Sequence, residues 1–258
     1  MENDQRFFDF AAEVGLTKHL GGVEATERLI ELCHIEEGKY VLDVGCGAGA
    51  TPVQLVKRHR CRAVGVDISR RMIERAEEMA TREGVGDEIE FRVADAQDLP
   101  FDNDLFDAVI TESVAAFPED KQRAVKEFAR VTKTGGYVGL NESTWLKTPP
   151  PPDVVAWASQ EVGAQVRPLA REEWVGLLKN AGLGELVVRI YPIDTRDEAG
   201  GIVQRYGCLG MLRVFWRMLR LYAKNPAYRG FVKRIRQGGI VPESLHEDFG
   251  YGLYVGRK

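Results

Sequence analysis

Between residue 23 and about residue 142, short apolar runs alternate with segments whose apolar residues recur every three or four positions. The short runs are strand signals and the wider spacing is a helix signal, so the alternation predicts a parallel sheet with crossover helices. The strands are expected at Tyr40–Val44, Ala63–Val66, Ile89–Val93, Phe106–Ile110 and Tyr137–Leu140, all rich in residues suited to burial on both faces. After the first strand, Thr51 and Pro52 offer a helix cap and first turn, and Lys57, Arg58 and Arg60 gather at the far end. After the second, Ser69 caps a helix carrying Met72, Ile73, Ala76, Met79 and Ala80 at helical spacing, closed by Gly84. A helix over residues 119–132 packs through Ala124, Val125, Phe128 and Val131 and is expected to end at Gly135-Gly136.

Beyond residue 142 the rhythm changes. The run TPPPPD at 148–153 predicts a stiff extended connector. Helices follow at 153–163 and 171–181, with Gly182 stopping the latter, then a sixth strand at Glu185–Tyr191 and a seventh at Tyr251–Val255. Nearly sixty residues of largely helical pattern separate those strands, far more than an ordinary loop. The expected organisation is therefore one α/β domain, residues 1–192 plus 250–258, and a helical insertion at 193–249 that serves as lid and part of an acceptor site. No internal repeat is visible.

Composition narrows the class. With 258 residues, 44% hydrophobic and 29% charged, the chain reads as a globular protein. A net charge of −4 argues against bulk attraction to nucleic acid. Cys33, Cys46, Cys61 and Cys208 form no C-x-x-C pair, so neither a metal site nor a disulfide framework is expected. The start MENDQRFFDF lacks a basic and then apolar pattern, and no run reaches the length of a membrane span. A cytoplasmic location follows as the expectation.

Residues 41–50, VLDVGCGAGA, hold the candidate chemistry. Gly45, Gly47 and Ala50 satisfy a dinucleotide fingerprint, but Asp43 sits two residues before the first glycine, where such a site keeps its strand apolar. Asp67 ends the second strand and Asp95 lies just past the third. In a doubly wound sheet these carboxyl ends converge on one crevice. Carboxylates there would repel a pyrophosphate and suit a ligand with hydroxyl and amino groups and a positive charge. S-adenosylmethionine (SAM) offers an ammonium, a ribose and an adenine amino group, one for each acid.

DVGCGAG, VGVDIS, ADAQDLPF, FDAVITES and KTGGYVGLNE, in that order, resemble the successive motifs of class I SAM-dependent methyltransferases, in particular the small-molecule group related to quinone-biosynthesis C-methyltransferases. The resemblance covers about residues 20–145. It implies that Gly45, Cys46 and Gly47 contact the methionine part through backbone, that Asp67 binds ribose, that Ile68 and Met72 flank adenine, and that Asp95 and the Ala96 backbone read the adenine edge. It also implies a doubly wound seven-stranded sheet of order 3-2-1-4-5-7-6, with strand seven antiparallel and the helical insertion between strands six and seven.

Methyl transfer needs no covalent nucleophile from the protein, and a base only when the acceptor must lose a proton. Three residues are candidates on that side. Glu112 follows strand four, where the resemblance places a residue beside the transferring methyl; it reads as a cofactor contact or helix-start acid ahead of a base. Glu142 follows strand five, with site and structural roles both open. His19 could close over the methionine part, with a solvent-exposed or capping role as the alternative, while His34 and His59 read as structural. Thr111-Glu112-Ser113-Val114 does not copy the Asn/Asp-Pro-Pro-aromatic motif of DNA amino-methylating enzymes.

The segment 205–236 carries Arg205, Arg213, Arg217, Arg220, Lys224, Arg229, Lys233, Arg234 and Arg236, and residues 202–240 hold no acid. Leu209, Leu212, Phe215, Trp216, Leu219 and Tyr222 form an apolar face beside them. That face either packs on the sheet or roofs the acceptor pocket, or meets a membrane surface or anionic lipid, or serves an anionic small substrate; nucleic acid is disfavoured for want of interleaved stacking residues. The sequence thus predicts methyl transfer from SAM to a small, partly apolar acceptor. Its rivals are an acceptor met at a membrane surface, an NAD-dependent oxidoreductase and a non-catalytic SAM-binding protein.

Overall fold

The computed structural model describes residues 10, 12–15, 19–161, 168–193, 195–236, 242 and 244–258; the side chains of 158–161, 195–209 and 234–236 fall outside the description. The expectations for Arg205, Cys208, Leu209, Arg234 and Arg236 therefore lie outside the described side chains. The chain runs α1 (Gly22–Leu32), β1 (Tyr40–Val44), α2 (Ala50–His59), β2 (Arg62–Asp67), α3 (Arg70–Arg82), β3 (Ile89–Val93), β4 (Phe106–Glu112), α4 (Lys121–Val131) and β5 (Thr132–Trp145). It continues through α5 (Pro152–Glu161), β6 (Leu169–Ala170), α6 (Arg171–Asn180), β7 (Gly184–Pro192), α7 (Thr195–Lys224), α8 (Pro226–Arg236), α9 (Leu245–Asp248) and β8 (Phe249–Arg257).

The strands form one sheet of order β3-β2-β1-β4-β5-β8-β7. The first four neighbouring pairs are parallel, and β8 runs antiparallel between β5 and β7. This is the expected order, with the count raised to eight by the two-residue β6, which pairs with the end of β5. Successive strand residues alternate between two apolar layers, as a period of two requires. Leu42, Val64 and Val109 join Phe128, Trp174 and Leu178 on one face. Val41, Ala63 and Ile110 join Leu29, Val53 and Met79 on the other. All five apolar residues expected to seat α3 are buried, and Ser69 caps that helix by accepting the Met72 N–H at 3.4 Å.

Several expectations are corrected. Thr51 does not cap α2: Gly49, in left-handed conformation, precedes the helix, and the Thr51 hydroxyl donates elsewhere. Gly135 and Gly136 do not merely end α4; they lie within β5, where the register against β4 shifts between Phe106 and Ala108. A Cβ on Gly136 would lie 2.6 Å from the Asp107 carbonyl oxygen, so only glycine fits that bulge. The proline connector is shorter than expected, because Pro152 opens α5. Strand β5 extends far beyond Tyr137–Leu140, since β8 pairs with it from Tyr137 to Trp145 and satisfies its backbone throughout.

Candidate functional site

At the carboxyl end of β1 the chain passes through left-handed backbone at Gly45, Gly47 and Gly49, with φ of 76°, 53° and 84°. Glycine adopts these angles without a Cβ penalty. The N–H groups of Gly45 and Cys46 donate to the Val66 carbonyl at 2.7 and 2.9 Å, which fastens the loop to the end of β2. Asp67 lies at that end. Its Oδ2 accepts the Gly47 N–H at 3.0 Å and its Oδ1 accepts the Ser69 N–H at 2.8 Å. Burial pushes its pKa up, against the lowering effect of both N–H groups. An ionised carboxylate has about four lone-pair positions, so two remain for ligand hydroxyls.

Asp43 is 3% exposed. Burial, and then the charges of Asp43 and Asp67, hold the Cys46 thiol well above its ordinary pKa, so both carboxylates stand near one sulfur. That thiol is neutral and no nucleophile. Asp95 follows Val93, the residue paired with Asp67, by two positions, and the intervening Ala94 N–H donates to the Asp67 carbonyl at 3.1 Å. Asp95 and Ala96 are half-buried, with Asp95 Oδ1 accepting the Gln97 N–H at 2.8 Å. Ile68 is 73% exposed at the lip, and Met72 is buried beneath it.

Across the glycine loop stands Val114, whose Cγ2 would lie 2.3 Å from a Cβ on Gly45. Glu142 places it: Oε1 accepts the N–H groups of Val114 and Ala115 at 2.8 and 2.6 Å. The Glu142 side chain is wholly buried, its Oε2 has no hydrogen-bond partner, and burial raises its carboxyl pKa to about 7. Of the two roles left open for it, the structure supplies the structural one directly.

Glu112 ends β4 as a buried junction. Its Oε1 accepts the Thr51 hydroxyl at 2.9 Å, its Oε2 accepts the Thr26 hydroxyl at 2.8 Å, and His19 Nδ1 stands 3.4 Å from Oε2. The carboxylate thereby ties α1, α2 and β4 together and does not act as a helix-start acid. His19 is buried, which removes the solvent-exposed reading. His34 packs on Tyr137 with ring centroids 5.0 Å apart, and His59 Nε2 is 3.1 Å from Glu27, as structural roles require. Next to His19, Leu20 is held from the ends of β4 and β5: its N–H donates to Oγ of Ser113, the residue after β4, at 3.2 Å, and its carbonyl accepts from Asn141 Nδ2 in β5 at 2.8 Å.

From Leu20 an apolar wall continues through Val154, Ile193, Leu245 and Phe249, with Trp145 and Trp157 against it. The Trp145 and Trp157 rings lie 5.4 and 6.2 Å from that of Phe249. The Trp157 indole N–H is buried without a partner. Sequence reasoning missed Thr26, Asn141, Val114 and Trp157. Only the polar pair Asn141-Glu142, directly after the apolar run Tyr137–Leu140, gave a signal that could have been used.

Residues 41–136 match the family model described as "Methyltransferase domain". That segment carries a methyltransferase domain. The 27-O-demethylrifamycin SV methyltransferase of Amycolatopsis mediterranei is 31% identical over 160 residues, which is 61% of this chain and 58% of that protein. Two solved structures share the fold. The [4+2]-cyclase SpnF superposes with a TM-score of 0.76 at 20% identity, over 98% of this chain and 94% of that one. Geranyl diphosphate methyltransferase in complex with SAM superposes with a TM-score of 0.63 at 18% identity, over 91% and 84%. SAM is the ligand of that last structure. The site's chemistry suits it: buried carboxylates for a cation, an anchored carboxylate with free lone pairs for hydroxyls, and a glycine cradle that a Cβ would fill. Within the methyltransferase domain, described residues offer no cluster of metal-ligating side chains.

Proposed function

We propose that the chain transfers the methyl group of SAM to a small, partly apolar acceptor held between the glycine loop and the apolar wall. The observation that carries this reading is the Asp67 carboxylate, pinned by the Gly47 and Ser69 N–H groups with lone pairs to spare. In this reading Asp67 takes the two ribose hydroxyls, Gly45, Cys46 and Gly47 meet the methionine part through backbone, and Asp43 and Glu112 supply negative potential for its ammonium. Ile68 and Met72 flank the adenine, and Asp95 with the Ala96 backbone reads its edge. When bound, SAM supplies an electrophilic methyl for in-line displacement at its sulfonium.

The protein's share is then orientation and dryness. Glu142 is a positioning residue that fixes Val114 over the Gly45 end of the loop. The wall of Leu20, Val154 and Phe249 excludes water on the acceptor side, and Trp157 offers the acceptor one N–H donor. Residues 193–249 form an insertion on the 1–192 plus 250–258 domain, and Ile193, Leu245 and Phe249 at its two ends bring it to that wall. The test is incubation with methyl-labelled SAM and fractionated small-molecule extracts. A labelled small product is expected; binding of SAM with no labelled product in any fraction would leave a carrier or a cyclase-like catalyst instead.

A further inference from the structure

α7 presents an apolar face that nothing in the described chain covers. Leu212, Phe215, Trp216, Leu219 and Tyr222 are 52%, 53%, 58%, 43% and 47% exposed. With successive residues turned by about 100°, positions 212, 215, 216, 219 and 222 fall on one side of the helix. The buried side is separate: Val214 is 4% exposed, and Arg217 turns inward, donating to the Val14 carbonyl at 3.4 Å and to Glu78 at 3.3 Å. The flank between these two sides carries Arg213, Arg220 and Lys224, all exposed. Of the residues read as the apolar face, those five, whose side chains are described, do not pack on the sheet.

We infer that α7 docks, lying flat, on an anionic lipid surface. Isolated apolar residues at a protein surface are ordinary, but a contiguous stripe of Leu, Phe, Trp and Tyr bordered by Arg and Lys is the pattern of an interfacial helix. Trp and Tyr suit the headgroup boundary, where a ring buries its body and keeps its polar edge wet. Charge selects the partner. Exposed Arg213, Arg220 and Lys224 border the face and residues 202–240 hold no Asp or Glu, so a second copy meeting this face would set cations against cations. A polyanion such as nucleic acid would pair with the cations and leave the five apolar side chains in water. A bilayer with negative headgroups satisfies both. The docking is peripheral, since no helix among the described residues is long and apolar enough to cross a membrane.

The inference is independent of the methyl-transfer reading and fails separately from it. The full chain is mixed with phosphatidylcholine vesicles, with and without phosphatidylglycerol, and followed by co-sedimentation and tryptophan emission. Binding to the anionic vesicles is expected to be about tenfold stronger or more, to weaken as salt is raised, and to shift the emission to the blue. Trp216→Phe is expected to bind and lose most of that shift, since Trp174 is buried and Trp145 and Trp157 sit in the aromatic wall. Phe215→Ser with Leu219→Ser, and Arg213→Glu with Arg220→Glu, are each expected to lower vesicle binding about tenfold while SAM affinity, measured alongside as the control for folding, is unchanged. Equal affinity for both vesicle types, or no binding to either by a chain that circular dichroism shows to be folded, overturns the inference. So does a concentration-dependent dimer that the Phe215/Leu219 variant abolishes.

Discussion

At the scale of the residue, the decisive positions are those where one atom more or less changes the site. Gly45 joins a left-handed φ of 76° to a contact that a Cβ would bring within 2.3 Å of Val114. Gly45→Ala is therefore expected to weaken SAM binding by roughly tenfold or more, from about 1–2 kcal/mol of backbone strain plus the displaced loop. Gly38→Ala is the control: its φ is 82° but a Cβ there meets nothing within 4 Å, so it should lower stability and leave SAM affinity alone. Glu142 gives a pH prediction. Its carboxyl lies near 7 when folded against 4.5 as the ordinary value, so folding favours the protonated form. Below the ordinary value both states are protonated and no penalty exists; the penalty grows between the two values and is complete above the folded one. Glu142→Gln keeps an oxygen for the Val114 and Ala115 N–H groups and removes that penalty. Melting curves are expected to show the variant gaining on wild type at pH 8 and not at pH 4. The glycines and Asp67 were legible because motif spacing fixes backbone geometry. Glu142 was visible only as an acid after a strand; that it braces the next loop depends on a contact between β5 and a segment 28 residues earlier.

At the scale of the element, strand positions could be read wherever both faces are apolar and were misread where buried residues are polar. β1, buried along almost its whole length, falls where its apolar run lies, and β3 is also where it was expected although Glu90, Arg92 and Val93 are exposed. β5 was seen only at its apolar centre, because Asn141, Glu142 and Thr144 look like loop residues and are in fact fully buried. Asn141 Nδ2 finds the Leu20 carbonyl, Glu142 Oε1 the N–H groups of Val114 and Ala115, and the Thr144 hydroxyl the Leu169 carbonyl and Tyr254, partners no local pattern announces. Glu112 is the other element-scale feature, tying α1 and α2 to β4 through the Thr26 and Thr51 hydroxyls. Glu112→Ala leaves those hydroxyls inside the protein without their acceptor, and a loss of roughly 3 kcal/mol in denaturant unfolding is expected. The length of α7 and the exposure of its apolar face were likewise hidden, since an amphipathic repeat states which residues share a side and not what that side meets.

At the scale of the whole molecule, the doubly wound order and the antiparallel β8 follow from the motif set, and the eighth strand, too short to leave a signal, does not. The topology brings the ends of β1, β2 and β3 beside those of β4 and β5, and in the proposed reading the acceptor wall of Leu20, Val154, Trp157 and Phe249 stands apart from the cofactor contacts. That division makes them separable in experiment. Trp157→Phe keeps the ring against Phe249 and removes the unpartnered N–H; KM for the acceptor is expected to rise several-fold with SAM affinity unchanged. The family match shows a methyltransferase domain without singling out the quinone-related subgroup, consistent with an acceptor wall built outside residues 41–136. Calorimetric titration of the wild-type chain and of Asp67→Ala, with SAM and with NADH, addresses the central claim most directly. Saturable heat with SAM alone, and SAM affinity about tenfold or more weaker in the variant, is the expected result. Binding of NADH in place of SAM, or an Asp67→Ala chain that holds SAM as tightly as wild type, would contradict it.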